Sequence, residues 1–301
     1  MLLVTGCSGP SANYFFQALS SANYKAKIKC IIRSTSNINH LKKYNLNLEF
    51  LNGDMNDDSF LENAFRNIKI VLHIANIKFS SKIVSIGSKL DVEWFICVHT
   101  TAIFSKHKKL SGKYNEIESK LLKNYKNITI LRPSLIYGTG EDIFTGGDKK
   151  RDRKIWKIIN FINRYRFFII FGDGNNLMQP VHCKDLGEAY YLVLNNKINT
   201  IGKQYNLPGQ DQISYKHMLK IISKQLGKKT LFLKVPIWMS RFFLKFLNKL
   251  FFKTFFFQDE QILRLTEDRV FSFIEAKTDF SYNPMKFEEG IKKEIKMYLK
   301  S

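Results

Sequence analysis

Short apolar runs alternate with segments of helical period along the first half of the chain, and the alternation predicts its elements. "MLLVTG" (1–6) reads as a strand, "CSGPS" (7–11) as a tight turn and "ANYFFQALSS" (12–21) as a helix. A second strand follows in "KIKCIIR" (27–33), then "LEFLNGDMND" (48–57), the helix "DSFLENAFRN" (58–67) and the strand "IKIVLHIAN" (68–76). "WFICVHTT" (94–101), a helix over 112–124 and the strand "ITILRPSLIYG" (128–138) complete the series. Apolar strands joined by helices predict parallel βαβ units, and so an α/β fold with a Rossmann-type doubly wound parallel sheet.

After Gly140 the character changes. "GEDIFTGGDKKRDRK" (140–154) is a polar, basic loop, "IWKIINFINRY" (155–165) an amphipathic helix, and "FFIIFGDG" (167–174) a strand and turn. "PVHCKDLGEAYYLVL" (180–194) has the pattern of a strand and helix that rejoin the main sheet. From Gln204, "QYNLPG", "SYKHMLKIISKQLG" and "NPMKFEEGIKKEIKMYL" indicate a smaller interleaved α/β lobe. The expected division is a dinucleotide-binding domain over 1–140, with 178–203 returning to it, and a substrate lobe from 141–177 and 204–301.

Composition adds one constraint. The 301 residues carry 48 Lys+Arg against 26 Asp+Glu, a formal +22. Such an excess attracts polyanions: phosphorylated substrates, anionic lipid surfaces or nucleic acid. No arginine-rich arm, zinc-finger spacing or RNP-like aromatic motif is present, so nucleic acid is set aside and no metal ligands are assigned. Cys7, Cys30, Cys97 and Cys183 form no CxxC pair and read as reduced thiols of a cytoplasmic protein. "MLLVTG" runs straight into a strand with no signal-peptide pattern. No apolar run is long enough to span a bilayer.

"VTGCSGPSA" (4–12) sets Gly6, Gly9 and Ala12 in a T-G-x-x-G-x-x-A spacing between a strand and a helix. Gly6 permits the sharp turn, Gly9 lets a pyrophosphate approach the backbone, and Ala12 permits close helix packing. The first-turn N–H groups, with Ser8, Pro10 and Ser11 around them, then face the phosphates. The second strand ends in "IIRSTS", where a carboxylate would suit the ribose hydroxyls of NAD. Arg33 there, with Ser34 and Thr35, suits the 2′-phosphate of NADP, and NAD stays open as the alternative.

The ordered series "TGxxGxxA", "NGDMND", "VLHIAN", "VHTTAIF" and "LRPSLIYG" resembles the extended and atypical short-chain dehydrogenase/reductases of the NAD-dependent epimerase/dehydratase family. "GDGNNLMQPVHCKDLGEAY" and "AKTDFSYNPMKFEEGI" resemble its later segments. The resemblance implies that Asp54 and Met55 flank an adenine. It places Ala75 and Asn76 near the nicotinamide ribose, and Pro133 at the border of the nicotinamide ring. Thr100 falls where the family has its Ser/Thr hydroxyl.

The same resemblance implies a tyrosine and a lysine four residues apart on one helix face, the lysine lowering the tyrosine pKa. "SGKYNEIESKLLKNYKNITILRP" (111–133) offers three registers. With Tyr114 as the tyrosine, Glu118 takes the lysine place; with Lys120 as the lysine, Glu116 takes the tyrosine place. Counting back from "LRP" puts Glu118 on a glutamate that commonly follows the family lysine, Tyr114 at the lysine place and Leu110 at the tyrosine place. No register holds the pair. Tyr114 and Thr100 remain the catalytic candidates.

Two segments lie outside these motifs. In "GGDKKRDRK", Arg151 and Arg153 could clamp the diphosphate of a nucleotide- or lipid-linked sugar, or be solvated. In "VPIWMSRFFLKFLNKLFFKTFFF" (235–257), Arg241, Lys245, Lys249 and Lys253 form a polar stripe among aromatic residues. That pattern fits a helix at an anionic membrane surface or one buried in the lobe. Two functions stay in competition. One is an NAD(P)-dependent epimerase, dehydratase or reductase acting on a phosphate-bearing sugar; the other is a non-catalytic NADP(H)-binding sensor or scaffold. A homodimer and peripheral membrane attachment are left open as partner states.

Overall fold

The computed structural model describes residues 1–139, 153–239 and 267–300; at 108–110 and 153–154 only the backbone is described. Seven strands form the main sheet: Leu2–Thr5 (β1), Ile28–Ile32 (β2), Leu48–Asn52 (β3), Ile70–His73 (β4), Trp94–Val98 (β5), Ile128–Pro133 (β6) and a later strand, Gln204–Leu207. All its pairings are parallel. The sequence reading of a doubly wound α/β fold therefore holds.

β1, β5 and β6 are buried along their whole length, as strands covered on both faces must be. Alternate residues feed opposite layers. Leu2, Val4, Trp94 and Ile96 join the core under Pro10–Ser21 (α1) and Cys183–Asn195, whereas Leu3, Phe95 and Cys97 pack under Asp58–Ala64 (α2), Ser80–Ser88 (α3) and Lys108–Asn124 (α4). The predicted helix over 112–124 thus starts a turn earlier.

A second core belongs to the small lobe. Between β6 and that lobe lies Ile136–Tyr137 (β7). Arg153–Tyr165 (α5), Phe167–Phe171 (β8) and Leu177–Met178 (β9) follow, then Val181–His182 (β10), Cys183–Asn195 (α6) and Lys197–Thr200 (α7). Gln204–Leu207 is β11, after which come Ile213–Ser214 (β12), Tyr215–Gln225 (α8), Leu231–Val235 (β13), Ile274–Phe280 (α9) and Phe287–Lys300 (α10). α5, β8, α8, β13 and α10 supply the small core through residues such as Ile159, Phe168, Leu219, Val235 and Ile291.

Two details differ from the sequence pattern. β10 pairs with β7 in a small separate sheet, and α6 is the part of that segment that returns to the main domain, against α1. The strand that rejoins the main sheet is β11, beside β6, although Gln204 was read as the start of the small lobe. Chain order says little about which sheet a four-residue strand joins, because its partner edge is set by tertiary contacts.

The strand order β11-β6-β5-β4-β1-β2-β3 reverses between β4 and β1. A crevice opens at such a switch point beyond the strands' carboxyl ends, the usual ligand position of open α/β sheets.

Candidate dinucleotide and substrate cleft

β1 delivers the chain to Gly6, whose φ of +71° is left-handed. A Cβ there would stand 2.8 Å from the Ala75 backbone nitrogen, so the β1 and β4 crossover loops touch through glycine. The Gly9 N–H donates to the Gly6 carbonyl at 3.1 Å, closing the turn, and Pro10 opens α1. Gly9 has an ordinary extended backbone, and a Cβ there would meet only the Gly6 oxygen, at 3.3 Å. A bare Gly9 thus spares one tight backbone contact, a smaller demand than the one at Gly6. Its effect is to leave the α1 N-terminus without a side-chain cap, with orphan N–H groups available to an anion. Ala12 is buried on the inner face of α1, but the close approach of α1 and α6 is made at Gly187, where a Cβ would lie 2.6 Å from the Phe15 nitrogen.

Two chambers meet over this turn, sharing Gly6, Gly9, Ala75 and Asn76 as lining. The first, about 950 Å³, extends over Ser8, Arg33 to Ser36 and Gly53 to Asn56. Arg33 is exposed at its rim, in a turn closed by the Ser36 N–H on the Arg33 carbonyl at 2.8 Å. Asp54 and Met55 lie on the opposite wall. The Asp54 carboxylate accepts from the Asn56 backbone N–H and side-chain amide, both at 2.9 Å. Those bonds hold its pKa below the usual carboxylate value.

The second chamber, about 680 Å³, is walled by Pro10, Ser11, Thr100 and Tyr114, with Ser134 and Arg269 among the other groups. Thr100 and Tyr114, the two catalytic candidates, therefore face one space. Thr100 caps a 3-10 turn, Thr101–Phe104, its Oγ1 accepting from the Ala102 N–H at 3.1 Å. Asn115 on α4 donates to the Ile103 carbonyl at 3.0 Å, which ties the Tyr114 helix to that turn. Asn76 uses its side-chain oxygen to cap the next turn, from the Lys78 N–H at 3.0 Å. Pro133 ends β6; its carbonyl accepts from Thr101 Oγ1 at 3.3 Å, while Ser134, Leu135 and Ile136 are the residues of that segment that line the chamber.

Behind Tyr114 lies a buried polar network. Glu118 accepts from Arg132 Nε at 2.8 Å and also from Arg132 Nη2, and from His99 Nδ1 at 2.8 Å. Burial alone would raise the Glu118 pKa, but the His99 and Arg132 hydrogen bonds outweigh it and hold the carboxyl below its usual range. The other ring nitrogen of His99, Nε2, lies 3.1 Å from Ser80 Oγ, so the imidazole bridges Glu118 and Ser80. The charge in the family lysine place is thus compensated within the protein. Among the described residues no lysine lines this chamber, and Lys120 pairs with Glu116 on the outer face of α4 at 2.7 Å.

A strap over 267–271 contributes Arg269 to the chamber lining. Buried Glu267 accepts from the Lys106 N–H at 2.7 Å and from Ser105 Oγ. The Arg269 N–H donates to the Leu177 carbonyl at 2.8 Å, and the Phe271 N–H to Gln179 Oε1 at 2.6 Å. The strap joins the Thr100 turn to the small lobe and carries Arg269 into the chamber wall. Sequence reasoning missed Arg269, His99 and Ser134. The first is a lone arginine in "LTEDRVF", with no local pattern to mark it. Arg151 lies outside the described residues, as do the side chains of Arg153 and Leu110 and most of the aromatic segment 235–257.

Comparison with known proteins agrees with this geometry. Residues 114–207 match the model of the NAD dependent epimerase/dehydratase family. A mitochondrial protein of Arabidopsis thaliana, NADH dehydrogenase [ubiquinone] 1 alpha subcomplex subunit 9, is 25% identical over 119 residues, which span 40% of this chain and 27% of that protein. Among solved structures, the dTDP-glucose 4,6-dehydratase DesIV of Streptomyces venezuelae, with NAD and TYD bound, is similar in fold. Its TM-score is 0.73 at 17% identity, over 100% of this chain and 97% of that one. UDP-glucuronic acid 4-epimerase of Bacillus cereus, in complex with UDP-glucuronic acid and NAD, gives 0.72 at 20% identity, over 99% of both chains. Residues 114–207 thus match the NAD dependent epimerase/dehydratase family in sequence, and the whole chain shares the fold of these two solved enzymes.

Proposed function

We propose that the chain is a nicotinamide-dinucleotide-dependent enzyme of the epimerase/dehydratase kind, acting on a sugar linked to a nucleotide or lipid diphosphate. The observation that carries this reading is the pair of chambers meeting at Gly6 and Gly9, one rimmed by Arg33 and the other holding Thr100, Tyr114 and Arg269. The cradle fits a dinucleotide: the β1 turn is closed by glycine, and the uncapped start of α1 offers N–H donors to a pyrophosphate. Arg33 with Ser34 and Thr35 favours a 2′-phosphate, and hence NADP. Once bound, the nicotinamide would supply hydride exchange with a sugar carbon.

The protein's own groups then have defined tasks. Thr100 accepts from the Ala102 N–H, and a hydroxyl that accepts can also donate, so it is placed to hold a substrate oxygen. Tyr114 offers a phenolic hydroxyl of the same chamber to exchange a proton with that oxygen. Arg269 offers a guanidinium for the diphosphate, which arginine grips bidentately. The bound UDP-glucuronic acid and TYD of the two solved relatives support a nucleotide-linked substrate.

A second reading rests on the Glu118 network. With no lysine in the chamber and Glu118 committed to Arg132 and His99, the chain would be a non-catalytic dinucleotide-binding protein. The Arabidopsis relative, whose name makes it a subunit of a larger assembly, favours this scaffold role.

One experiment separates the two. Calorimetry with NAD and NADP is followed by a test for exchange of a deuterium label between cofactor C4 and UDP- or dTDP-linked sugars. Binding with exchange supports the enzyme, binding without exchange supports the scaffold, and no binding removes both.

A further inference from the structure

The small lobe carries a second polar hollow that shares no residue with the cleft. It encloses about 600 Å³ beside the α8–β13 turn and is lined by Arg166, Lys220, Lys224, Lys228, Lys229 and Leu231, with no carboxylate in its wall. Lys224 reaches Glu288 at 3.4 Å, an exposed pair of small weight. The other four cations form no ion pair among the described residues.

Next to these cations the protein exposes large apolar side chains. Leu231 and Leu233, two apart on β13 and so on one face, are 62% and 43% exposed, while Trp238 is 82% exposed. Phe232, on the opposite face, packs against the small core, and Val235 at the end of the strand is buried in it. Among the described residues β13 pairs only with β8. Leu231 in the wall of the basic hollow, with Leu233 and Trp238 exposed further along the same segment, fulfils no task of the cleft. They need a partner that is apolar at short range and anionic around it.

We propose that this patch seats the protein on an anionic lipid bilayer, with the lysines and Arg166 among the headgroups and Leu231, Leu233 and Trp238 at the acyl boundary. Charge complementarity selects lipid: five cations, four of them with no carboxylate partner among the described residues, match a headgroup layer, and tryptophan is at home at that depth. No helix of the described residues is long and apolar enough to cross a membrane, so the contact is peripheral. It does not depend on which reaction the cleft performs.

The test is co-sedimentation of the full chain with phosphatidylcholine vesicles made with or without phosphatidylglycerol. Binding should require phosphatidylglycerol and weaken as salt is added. Lys220→Gln with Lys224→Gln should lower partition roughly 25-fold, at about fivefold per lysine. Leu231→Ser with Leu233→Ser should also weaken it, while the remote pair Lys25→Gln with Lys123→Gln leaves it unchanged. On the unaltered patch, brominated phosphatidylglycerol should quench a tryptophan emission that Trp238→Phe removes. The proposal is overturned if binding ignores phosphatidylglycerol, if the remote pair matters as much as the patch, or if Trp238 is not quenched. It is equally overturned if duplex DNA of equal phosphate content displaces the protein through the same lysines.

Discussion

Glu118 and Arg132 form an ion pair inside the protein, with the two residues only 4% and 8% exposed, directly behind the chamber that holds Tyr114. The helix face that the family resemblance reserves for a lysine is therefore part of a structural network joining α4 to β5 and β6 through His99 and Arg132.

Removing one partner should be costly. Glu118→Gln leaves Arg132 buried beside a neutral group and should destabilise the fold by about 3–5 kcal/mol at neutral pH in urea titration. Because the folded Glu118 pKa is lowered, its contribution is present above the ordinary glutamate value of 4.5 and lost as pH falls through the folded value. Wild type and variant should converge in acid. Glu118→Lys, which sets a lysine four residues after Tyr114, should unfold the chain rather than create an active pair, since the new cation faces Arg132.

The two glycines of the phosphate turn should separate folding from binding. Gly6→Ala meets backbone at 2.8 Å with positive φ, so melting temperature and soluble yield should both fall. Gly9→Ala meets only the Gly6 oxygen, at 3.3 Å on an ordinary extended backbone, so its melting temperature should fall less than that of Gly6→Ala. Its dinucleotide affinity should nevertheless drop at least about tenfold, or about 1.4 kcal/mol, by calorimetry.

Two buried groups should shape the pH dependence of stability in opposite senses. Burial raises Asp185 from 3.8 to about 6, against the lowering pull of His182 and the Met285 N–H. Its contribution is fully present below pH 3.8 and lost as pH rises through about 6, so at pH 7 it costs about 3 kcal/mol. Asp185→Asn, which can still accept from Met285, should therefore stabilise the neutral protein. Burial, with His99 nearby, lowers His73 from 6.5 to about 3. Its contribution is present above pH 6.5 and lost as pH falls toward 3, so His73→Asn should reduce acid lability. Urea midpoints across this pH range read both effects.

Four substitutions in the Thr100 chamber test the proposed chemistry. Thr100→Val and Tyr114→Phe should each lower turnover by about 100-fold or more while calorimetric cofactor affinity persists. Thr100→Ser, which keeps hydroxyl and cap, should retain most activity. Arg269→Gln should raise KM for diphosphate-linked sugars more than it lowers kcat. Full activity in both Thr100→Val and Tyr114→Phe would remove the assignment.

The sequence alone determined the first six strands of the sheet and the glycine turn after β1, because both follow from local rules. Apolar runs as short as "LLVT" and "WFICV" announce strands covered on both faces, and the glycine spacing announces a turn into a helix. Tertiary structure alone decided what Glu118 does, since its partners lie 14 and 19 residues away. Only the neighbouring positions of β5 and β6 bring His99 and Arg132 to it. The entry of Arg269 into the cleft, the return of β11 to the main sheet and the close approach at Gly187 were likewise invisible along the chain. Each depends on which distant elements come to lie side by side, and residue spacing carries periodicity but not that proximity.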